Sequence, residues 1–148
     1  MKTSNNTAAV IGTGFLGSGM ALAIYDPELH VGGVLHFMLP SSMINRQKAL
    51  ANPYIFADTG IPLLFRRTYK LGAAKERLVC RMAGAGSTLN SAFNIADENV
   101  QAVRNILKAN GVALHGECIG GLSSISLDLN LSDGRVRAVK SNGEEVVL

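Results

Sequence analysis

Residues 20–40 read MALAIYDPELHVGGVLHFMLP, and this stretch decides how the chain folds. Two short apolar runs, 20–25 and 31–39, lie on either side of Asp26-Pro27, a dipeptide that is typical of turns. Runs of this length joined by a turn of a few residues predict an antiparallel β-hairpin. The stretch is therefore interpreted as two paired strands.

The turn fixes which residues of the hairpin face each other. A turn centred on Glu28 and Leu29 sets residue 21 roughly opposite residue 36. Residue 19 would then lie about one residue pair from His36, on the order of 5–7 Å away. The pairing therefore predicts that the side chain of His36 lies beside position 19.

Two amphipathic helices are predicted outside the hairpin. The first can be capped by Asp58 or Thr59 and stops just before Gly72, with apolar side chains repeating on one face. The second runs from about Asp97 to a stop signal at Asn110-Gly111. Loops are predicted beside these helices at residues 41–53, with a short helical turn, and at residues 84–88.

The remaining apolar runs predict strands, and the C-terminal third has the pattern of a meander. Outside the hairpin the predicted strands are 77–82, 112–115, 124–131, 136–139 and the last three apolar residues. The chain is interpreted as one α/β (α+β) domain over residues 8–148, built mainly of antiparallel sheet with two principal helices. The polar residues 1–7 are interpreted as a flexible leader, with ordered structure beginning near Ala8.

Composition limits the classes of function. A net charge of +3 with scattered Lys and Arg argues against a nucleic-acid partner. The two cysteines, Cys80 and Cys118, lack the spacing of a metal site or a disulfide framework, which favours a reducing, cytoplasmic location and no bound metal. The apolar stretch 8–24 resembles a secretory signal, but four glycines interrupt it and no cleavage site follows. Neither export nor membrane insertion is therefore expected.

Residues 12–17, GTGFLG, match the G-x-G-x-x-G fingerprint of dinucleotide-binding folds. That fold needs a full helix after the glycines and an acidic residue about 20 positions further on. This chain instead turns at Asp26-Pro27, and its second strand ends in residues 36–40, HFMLP, without a carboxylate. An NAD(P)-binding Rossmann-type domain therefore remains only a third alternative, and no organic cofactor is expected.

A series of spaced motifs runs through the chain. The first block consists of Thr13, Leu16-Gly17-Ser18-Gly19, Asp26-Pro27, Gly32-Gly33 and His36-Phe37-Met38-Leu39-Pro40. Shorter motifs follow at Phe56-Ala57-Asp58, Gly84-Ala85-Gly86, Asn99-Val100 and Gly120-Gly121. The series resembles the signature of the chemoreceptor glutamine deamidases, the CheD family, in which a threonine precedes Leu-Gly-Ser-Cys, Asp-Pro, a glycine pair and His-x-Met-Leu-Pro. The spacing agrees throughout the first block.

The resemblance implies that receptor glutamine side chains are converted to glutamates with release of ammonia. A carboxamide is a poor electrophile, so a thiolate would attack it and form a thioester that water can open. A free thiol is only a few per cent ionised at neutral pH, so a neighbouring imidazole must take its proton. By resemblance, position 19 is the nucleophile position, His36 is the base, and the hydroxyl of Thr13 would orient the imidazole.

Gly19 stands where the family pattern has its cysteine, and glycine cannot be acylated. Loss of the nucleophile from a coupled site typically reduces turnover by roughly 10⁶, so the chain as written is expected to be inactive. Three explanations stay open: an inactivating change, a natural non-catalytic relative, or substitution by another thiol. Cys80, within an apolar strand, is expected to be inert core, and Cys118, beside a glycine pair, is the better substitute.

The resemblance also implies partners, namely methyl-accepting chemoreceptors and a CheC-type phosphatase that competes for the same surface. The alternative from another class is a binding module that docks on receptor or phosphatase without turnover. Asp26 is interpreted as a turn residue rather than a catalytic acid. Asn99 either orients a loop at the site or merely belongs to the first turn of the second helix, and the sequence leaves both open.

Overall fold

A computed structural model describes residues 1–86 and 94–148 of the chain. The elements in those ranges are β1 (Lys2–Ser4), β2 (Val10–Gly12), β3 (Met20–Asp26), β4 (Val31–Phe37), α1 (Arg46–Ala51), α2 (Ala57–Lys70), β5 (Val79–Gly84), α3 (Ile95–Ala109), β6 (Leu114–Ile119), β7 (Ile125–Asn130), β8 (Val136–Lys140) and β9 (Glu145–Val147). This arrangement confirms the α+β class, the predominance of antiparallel pairing and the two principal helices.

Two sheets form the body of the protein. The first has the strand order β1-β4-β3-β5-β6, in which only the β5–β6 pair is parallel, and the second has the order β2-β7-β8-β9. Alternate residues of β3 enter two separate cores: Leu22 packs with α2 and α3, whereas Ala23 packs with β7 and β8. Because β3 is covered on both faces, its sequence is continuously apolar rather than alternating.

The hairpin has the predicted register. Ala21 pairs with His36, and the antiparallel ladder runs from Met20 opposite Phe37 to Asp26 opposite Val31. The turn predicted around Glu28 is thereby confirmed. A slip of one residue would move His36 to the opposite face of the sheet, so this register is what positions the candidate site.

Asp26 anchors the closed end of the hairpin, as predicted for a turn residue. Its buried carboxylate accepts hydrogen bonds from the backbone N–H groups of Glu28, Leu29 and Ala74 and from the guanidinium of Arg77, 2.7 Å away at Nη2. Burial alone would raise the pKa of Asp26, but these hydrogen bonds, led by that from Arg77, lower it to about 2. The residue therefore has a structural role.

The dinucleotide-binding alternative is wrong. The glycine-rich segment begins in β2, which pairs antiparallel with β7, and no helix follows it. Leu16 instead bridges to Ile125 through two backbone hydrogen bonds of 2.9 Å. The glycines therefore let the chain run along the edge of the second sheet, where a Rossmann fold would place a helix N-terminus.

Several local predictions need correction. Ordered structure begins before Ala8, because Lys2–Ser4 of the predicted leader forms an edge strand paired with β4. Neither predicted residue caps α2: its N-cap is Phe56, the Asp58 carboxylate accepts hydrogen bonds from Ser42, and Thr59 donates to the Pro53 carbonyl. Tertiary partners outside the helix thus compete successfully for both side chains.

The boundaries of other elements also differ from the predicted ones. The loop at 41–53 contains α1 and two short 3₁₀ turns, and α3 begins at Ile95, two residues earlier than predicted. The strand expected at 112–115 is β6, which extends to Ile119. Of the loop predicted at 84–88, Gly84 ends β5, and residues 87–88 lie outside the described residues.

Within residues 1–86 and 94–148, none of the helices is both long enough and apolar enough to span a membrane.

Candidate functional site

The open end of the hairpin brings position 19 against His36, as the pairing predicts. A β-carbon at residue 19 would lie 3.3 Å from Nε2 of His36 and 3.0 Å from the carbonyl oxygen of Phe37. A thiol sulfur would be one bond further out, within hydrogen-bonding reach of the same nitrogen. The distances are those that a nucleophile at residue 19 and a base at His36 would need, and these two roles stay predictions.

The backbone at Gly19 does not require a glycine. Seven other glycines in the described ranges have positive φ angles, which other residues rarely adopt, and Gly19 is not among them. A side chain added at residue 19 needs only a shift of a few tenths of an ångström from the Phe37 carbonyl. The absence of a side chain at this position is therefore not explained by turn geometry.

The segment 84–86 packs against the backbone at position 19. The Ala85 N–H donates to the Gly19 carbonyl and the Gly86 N–H to the Gly17 carbonyl, both at 2.9 Å. A β-carbon on Gly84 would lie 2.4 Å from the Gly19 carbonyl oxygen, so only glycine fits there. Ala85 has a φ of 55°, a left-handed conformation uncommon outside glycine. The glycine-rich sequence signal at 84–86 is explained by this close approach to the site.

The buried side chain of Asn99 connects the two arms of the site, which are the segment that leads into β3 and the segment that follows β4. Its Nδ2 group donates to the Ser18 carbonyl at 3.0 Å and to the Met38 carbonyl at 2.9 Å. These carbonyls belong to residues next to Gly19 and two residues past His36, so one side chain fixes the distance between the two arms. The structure thus decides the question that the sequence left open, because Asn99 orients the site.

The Oδ1 atom of Asn99 is also buried, and it has no hydrogen-bond partner among the described residues. A buried unpaired amide oxygen is unfavourable by about 1–3 kcal/mol. Orienting the amide the other way would set this oxygen against two carbonyl oxygens, which is worse, so the assignment of Nδ2 as the double donor follows from chemistry.

Thr13 lies next to the second sheet rather than on the ring of His36. Its Oγ1 accepts a hydrogen bond of 3.0 Å from the backbone N–H of Leu127, while its own N–H donates to the Leu127 carbonyl. Among the described residues the structure shows no hydrogen bond between Thr13 and His36. The orienting role of Thr13 therefore stays a prediction.

The environment of His36 favours the neutral imidazole. His36 is an exposed residue, but protein atoms surround part of its imidazole ring. The resulting desolvation lowers the pKa of His36 below its ordinary value. The positive charge of the N-terminal amino group also lowers the pKa of His36. A neutral imidazole has one ring nitrogen free to accept a proton, as a general base requires.

Neither cysteine can replace a nucleophile at position 19. Cys118 lies in one row with Ala83, Ala21 and His36 across four neighbouring strands, about 14 Å from His36 at the usual strand spacing. Cys80 is fully buried in the helix-covered core, on the other face of the sheet, and burial raises the pKa of its thiol to about 12. The suggestion that Cys118 substitutes for the missing thiol is therefore wrong.

Within residues 1–86 and 94–148, the structure shows no group of three or more His, Cys, Asp and Glu side chains placed to share an ion.

Comparison with known proteins bears on the origin of this site. A sequence model of the family described as CheD chemotactic sensory transduction matches residues 38–140. The chain belongs to the CheD family. It is 42% identical to the probable chemoreceptor glutamine deamidase CheD 1 of Syntrophus aciditrophicus, over 96% of this chain and 89% of that protein. It is 44% identical to the probable chemoreceptor glutamine deamidase CheD 2 of Anaeromyxobacter dehalogenans, over 99% of this chain and 92% of that protein.

The CheD resemblance inferred from the spaced motifs is thus confirmed. The family model begins at residue 38, after the hairpin arms that carry the site. The two relatives, however, align with nearly the whole chain, so their similarity includes residues 13–36. The segment with Gly19 and His36 is therefore part of the CheD domain of this protein.

Proposed function

We propose that this chain carries the glutamine deamidase site of the CheD family with its nucleophile position vacant, so that it binds the receptor segment around a target glutamine without hydrolysing it. The observation that supports this proposal is the 3.3 Å approach of a β-carbon at residue 19 to Nε2 of His36. A backbone conformation that does not require glycine, next to a neutral imidazole, is suited to a cysteine, and the chain has none there.

The names of the relatives supply the substrate class. They are probable chemoreceptor glutamine deamidases, and a carboxamide side chain is what a thiol and imidazole pair can hydrolyse through a thioester. In such a site His36 would take the thiol proton and later protonate the departing ammonia. Thr13 would assist by accepting a hydrogen bond from the Nδ1–H group of His36, because a hydroxyl oxygen has two lone pairs and the Leu127 N–H uses only one of them.

The proposed partners are methyl-accepting chemoreceptors and, more specifically, a CheC-type phosphatase that competes for the same surface. The proposed compartment is the cytoplasm. These finer assignments rest on the family resemblance, and the binding-module alternative shares them, because a vacant nucleophile position leaves the docking surface intact.

The unsubstituted chain tests the proposal directly. Incubated with a purified cytoplasmic fragment of a methyl-accepting chemoreceptor, it is expected to bind the fragment but to release no ammonia and to leave every glutamine mass unchanged. Calorimetry, an ammonia assay and mass spectrometry of the digested fragment measure these three results. Turnover by the unsubstituted chain would show that another group is the nucleophile, and an absence of binding would remove the receptor as substrate.

Asn99 is expected to act as a positioning residue for this chemistry. In a Gly19→Cys background, Asn99→Leu removes both clamping hydrogen bonds and lets the two arms separate. Misplacement of a reacting group by about 1 Å can reduce turnover on the order of 10²-fold, so we expect kcat to fall about 10- to 100-fold with KM little changed. The pKa of the thiol at residue 19, measured from the pH dependence of its alkylation, should rise.

Asn110→Ala is the matched control for this variant. Asn110 lies at the other end of α3, where its Nδ2 donates to the Ile106 carbonyl at 2.7 Å. Its loss should affect the helix end but neither kcat nor the thiol pKa. Equal kinetics and equal thiol pKa in the Asn99→Leu and Asn110→Ala proteins would contradict a positioning role.

A further inference from the structure

The excess positive charge of the chain lies in one segment of the sequence. Residues 46–75 contain six Lys or Arg and one acidic residue. The rest of the chain contains eight Lys or Arg and ten acidic residues, so the net positive charge arises entirely from this segment. All six cationic residues are exposed: Arg46, Lys48, Arg66, Arg67, Lys70 and Lys75. We call these residues, which belong to or adjoin α1 and α2, the basic face.

The cations of the basic face differ from most, five of eight, of those elsewhere in the chain. Arg77, Arg104, Arg135, Arg137 and Lys140 all form ion pairs with carboxylates. In the described part of the chain the six residues of the basic face form none. Exposed charges that the fold does not neutralise are available to a partner of opposite sign.

A groove of about 770 Å³ lies within the basic face, between α1 and α2. Arg46 and Arg66 line it together with the apolar side chains of Leu50 and Leu63. Leu50 is 87% exposed, which is unusual for a leucine that lines a concave surface. The carboxylate of Asp58 also lines the groove, but both of its oxygens accept hydrogen bonds from Ser42.

Backbone hydrogen bonds connect the hairpin arm of the candidate site to the segment that borders the groove. The N–H groups of Met38 and Leu39, just past His36, both donate to the Ile55 carbonyl, at 2.8 and 3.0 Å. Ile55 belongs to the connection between α1 and α2, two residues after Pro53, which lines the groove. The arm that carries His36 is therefore held against the segment that borders the groove.

We propose that the α1–α2 groove docks an acidic amphipathic helix of the receptor on one side of the target glutamine. The inference rests on the proposed function for the identity of the partner. Leu50 and Leu63 contact the apolar stripe of the helix, while Arg46 and Arg66 pair with its carboxylates. A concave groove suits a helix better than the flat surface of an anionic membrane, which offers the same charge. The basic face thereby explains how the substrate is held in register with position 19.

The test measures binding of the unsubstituted chain and two variants to a purified receptor cytoplasmic fragment at low and high salt. Arg46→Glu/Arg66→Glu should weaken binding at least 10-fold and abolish most of its salt dependence, and Leu50→Asp should weaken it about 10-fold. Lys108→Glu is the control, because this side chain is exposed on α3, forms no ion pair among the described residues and does not line the groove. All substituted positions are on the surface, so equal melting temperatures of the variants would show that folding is unaffected.

The possible outcomes separate this inference from the proposed function. Fragment binding that depends on the groove, without activity in a Gly19→Cys chain, would support the docking surface and overturn the proposed chemistry. If the Gly19→Cys chain deamidates the fragment and the groove variants leave its KM unchanged, the proposed chemistry is supported and the docking surface is overturned. Unaltered fragment binding, combined with groove-dependent binding to phosphatidylglycerol vesicles, would overturn the helix in favour of a membrane.

Discussion

Gly19→Cys should convert this chain from one without turnover into a receptor-glutamine deamidase, with a rise in rate of up to the order of 10⁶. The β-carbon of the new residue lies 3.3 Å from Nε2 of His36, so the thiol and its base are brought together without rearrangement of the hairpin. Ammonia release and the glutamine-to-glutamate mass shift in a receptor fragment measure the gain.

Two variants control for effects other than the thiol. Gly19→Ala adds the β-carbon, with its close contact to the Phe37 carbonyl, but no nucleophile, and should stay inactive. Gly19→Cys/His36→Ala keeps the thiol without its base and should lose about 10²- to 10⁴-fold of the activity gained. A Gly19→Cys chain that folds and binds the fragment but does not deamidate it would favour the binding-module alternative.

The pH profile of the Gly19→Cys chain follows from the pKa of His36. The base works only when it is unprotonated, and desolvation holds its pKa below the ordinary value of about 6.5. The rate should therefore be retained on going down to slightly acidic pH and should fall only in more acidic solution. A fall that begins well above neutrality would assign the base to another group.

Asp26→Ala should lower the free energy of unfolding by about 3 kcal/mol, because it leaves the N–H groups of Glu28, Leu29 and Ala74 without their acceptor. The side chain of Arg77 is 32% exposed, so water partly screens its ion pair with Asp26. The loss of stability therefore stays near the low end of the range for breaking a buried ion pair. For a chain of this size the melting temperature should drop by about 10 °C, measured by calorimetry.

The effect of Asp26 should depend on pH with a definite sign. Its pKa is about 2 in the folded chain and about 3.9 when unfolded, so its stabilisation is complete above pH 4 and is lost as the pH falls towards 2. The melting temperatures of the unsubstituted and Asp26→Ala proteins should therefore converge in that range. Asp133→Ala, which removes an exposed turn aspartate 3.9 Å from its arginine, should cost less than about 1 kcal/mol. Equal losses from both substitutions would refute the anchoring role.

The site was predictable from the sequence where local pairing decides geometry. The Asp-Pro turn and two apolar runs of matched length fix the register of Ala21 with His36, and that register brings position 19 beside the His36 side chain. Asn99 was not predictable, because nothing in an Asn-Val dipeptide on a helix indicates that it reaches the Ser18 and Met38 carbonyls, 81 and 61 residues away. Its only signal was its agreement with the family pattern.

Two sequence patterns, the glycines at residues 12–17 and the glycine pair beside Cys118, suggested roles that the tertiary structure does not support, and both for the same physical reason. The glycines at residues 12–17 suit a phosphate-binding turn, and only the pairing of β2 with β7 shows that they serve a sheet edge. The glycine pair beside Cys118 predicts an accessible thiol, but the strand order puts two strands between the strand of Cys118 and that of His36. Strand order is set by the packing of the two cores, which no local pattern records.

The sequence by itself determined the hairpin, the α+β class, the CheD resemblance and the absence of a side chain at residue 19, because these depend on residue identity and on pairing between neighbours in the chain. Only the tertiary structure decided that Asn99 connects the two arms, that the cysteines lie away from His36 and that Arg46 and Arg66, which form no ion pair among the described residues, line a groove between α1 and α2. Those relations join residues distant in sequence, and they exist only once the burial of both faces of β3 has fixed the layers.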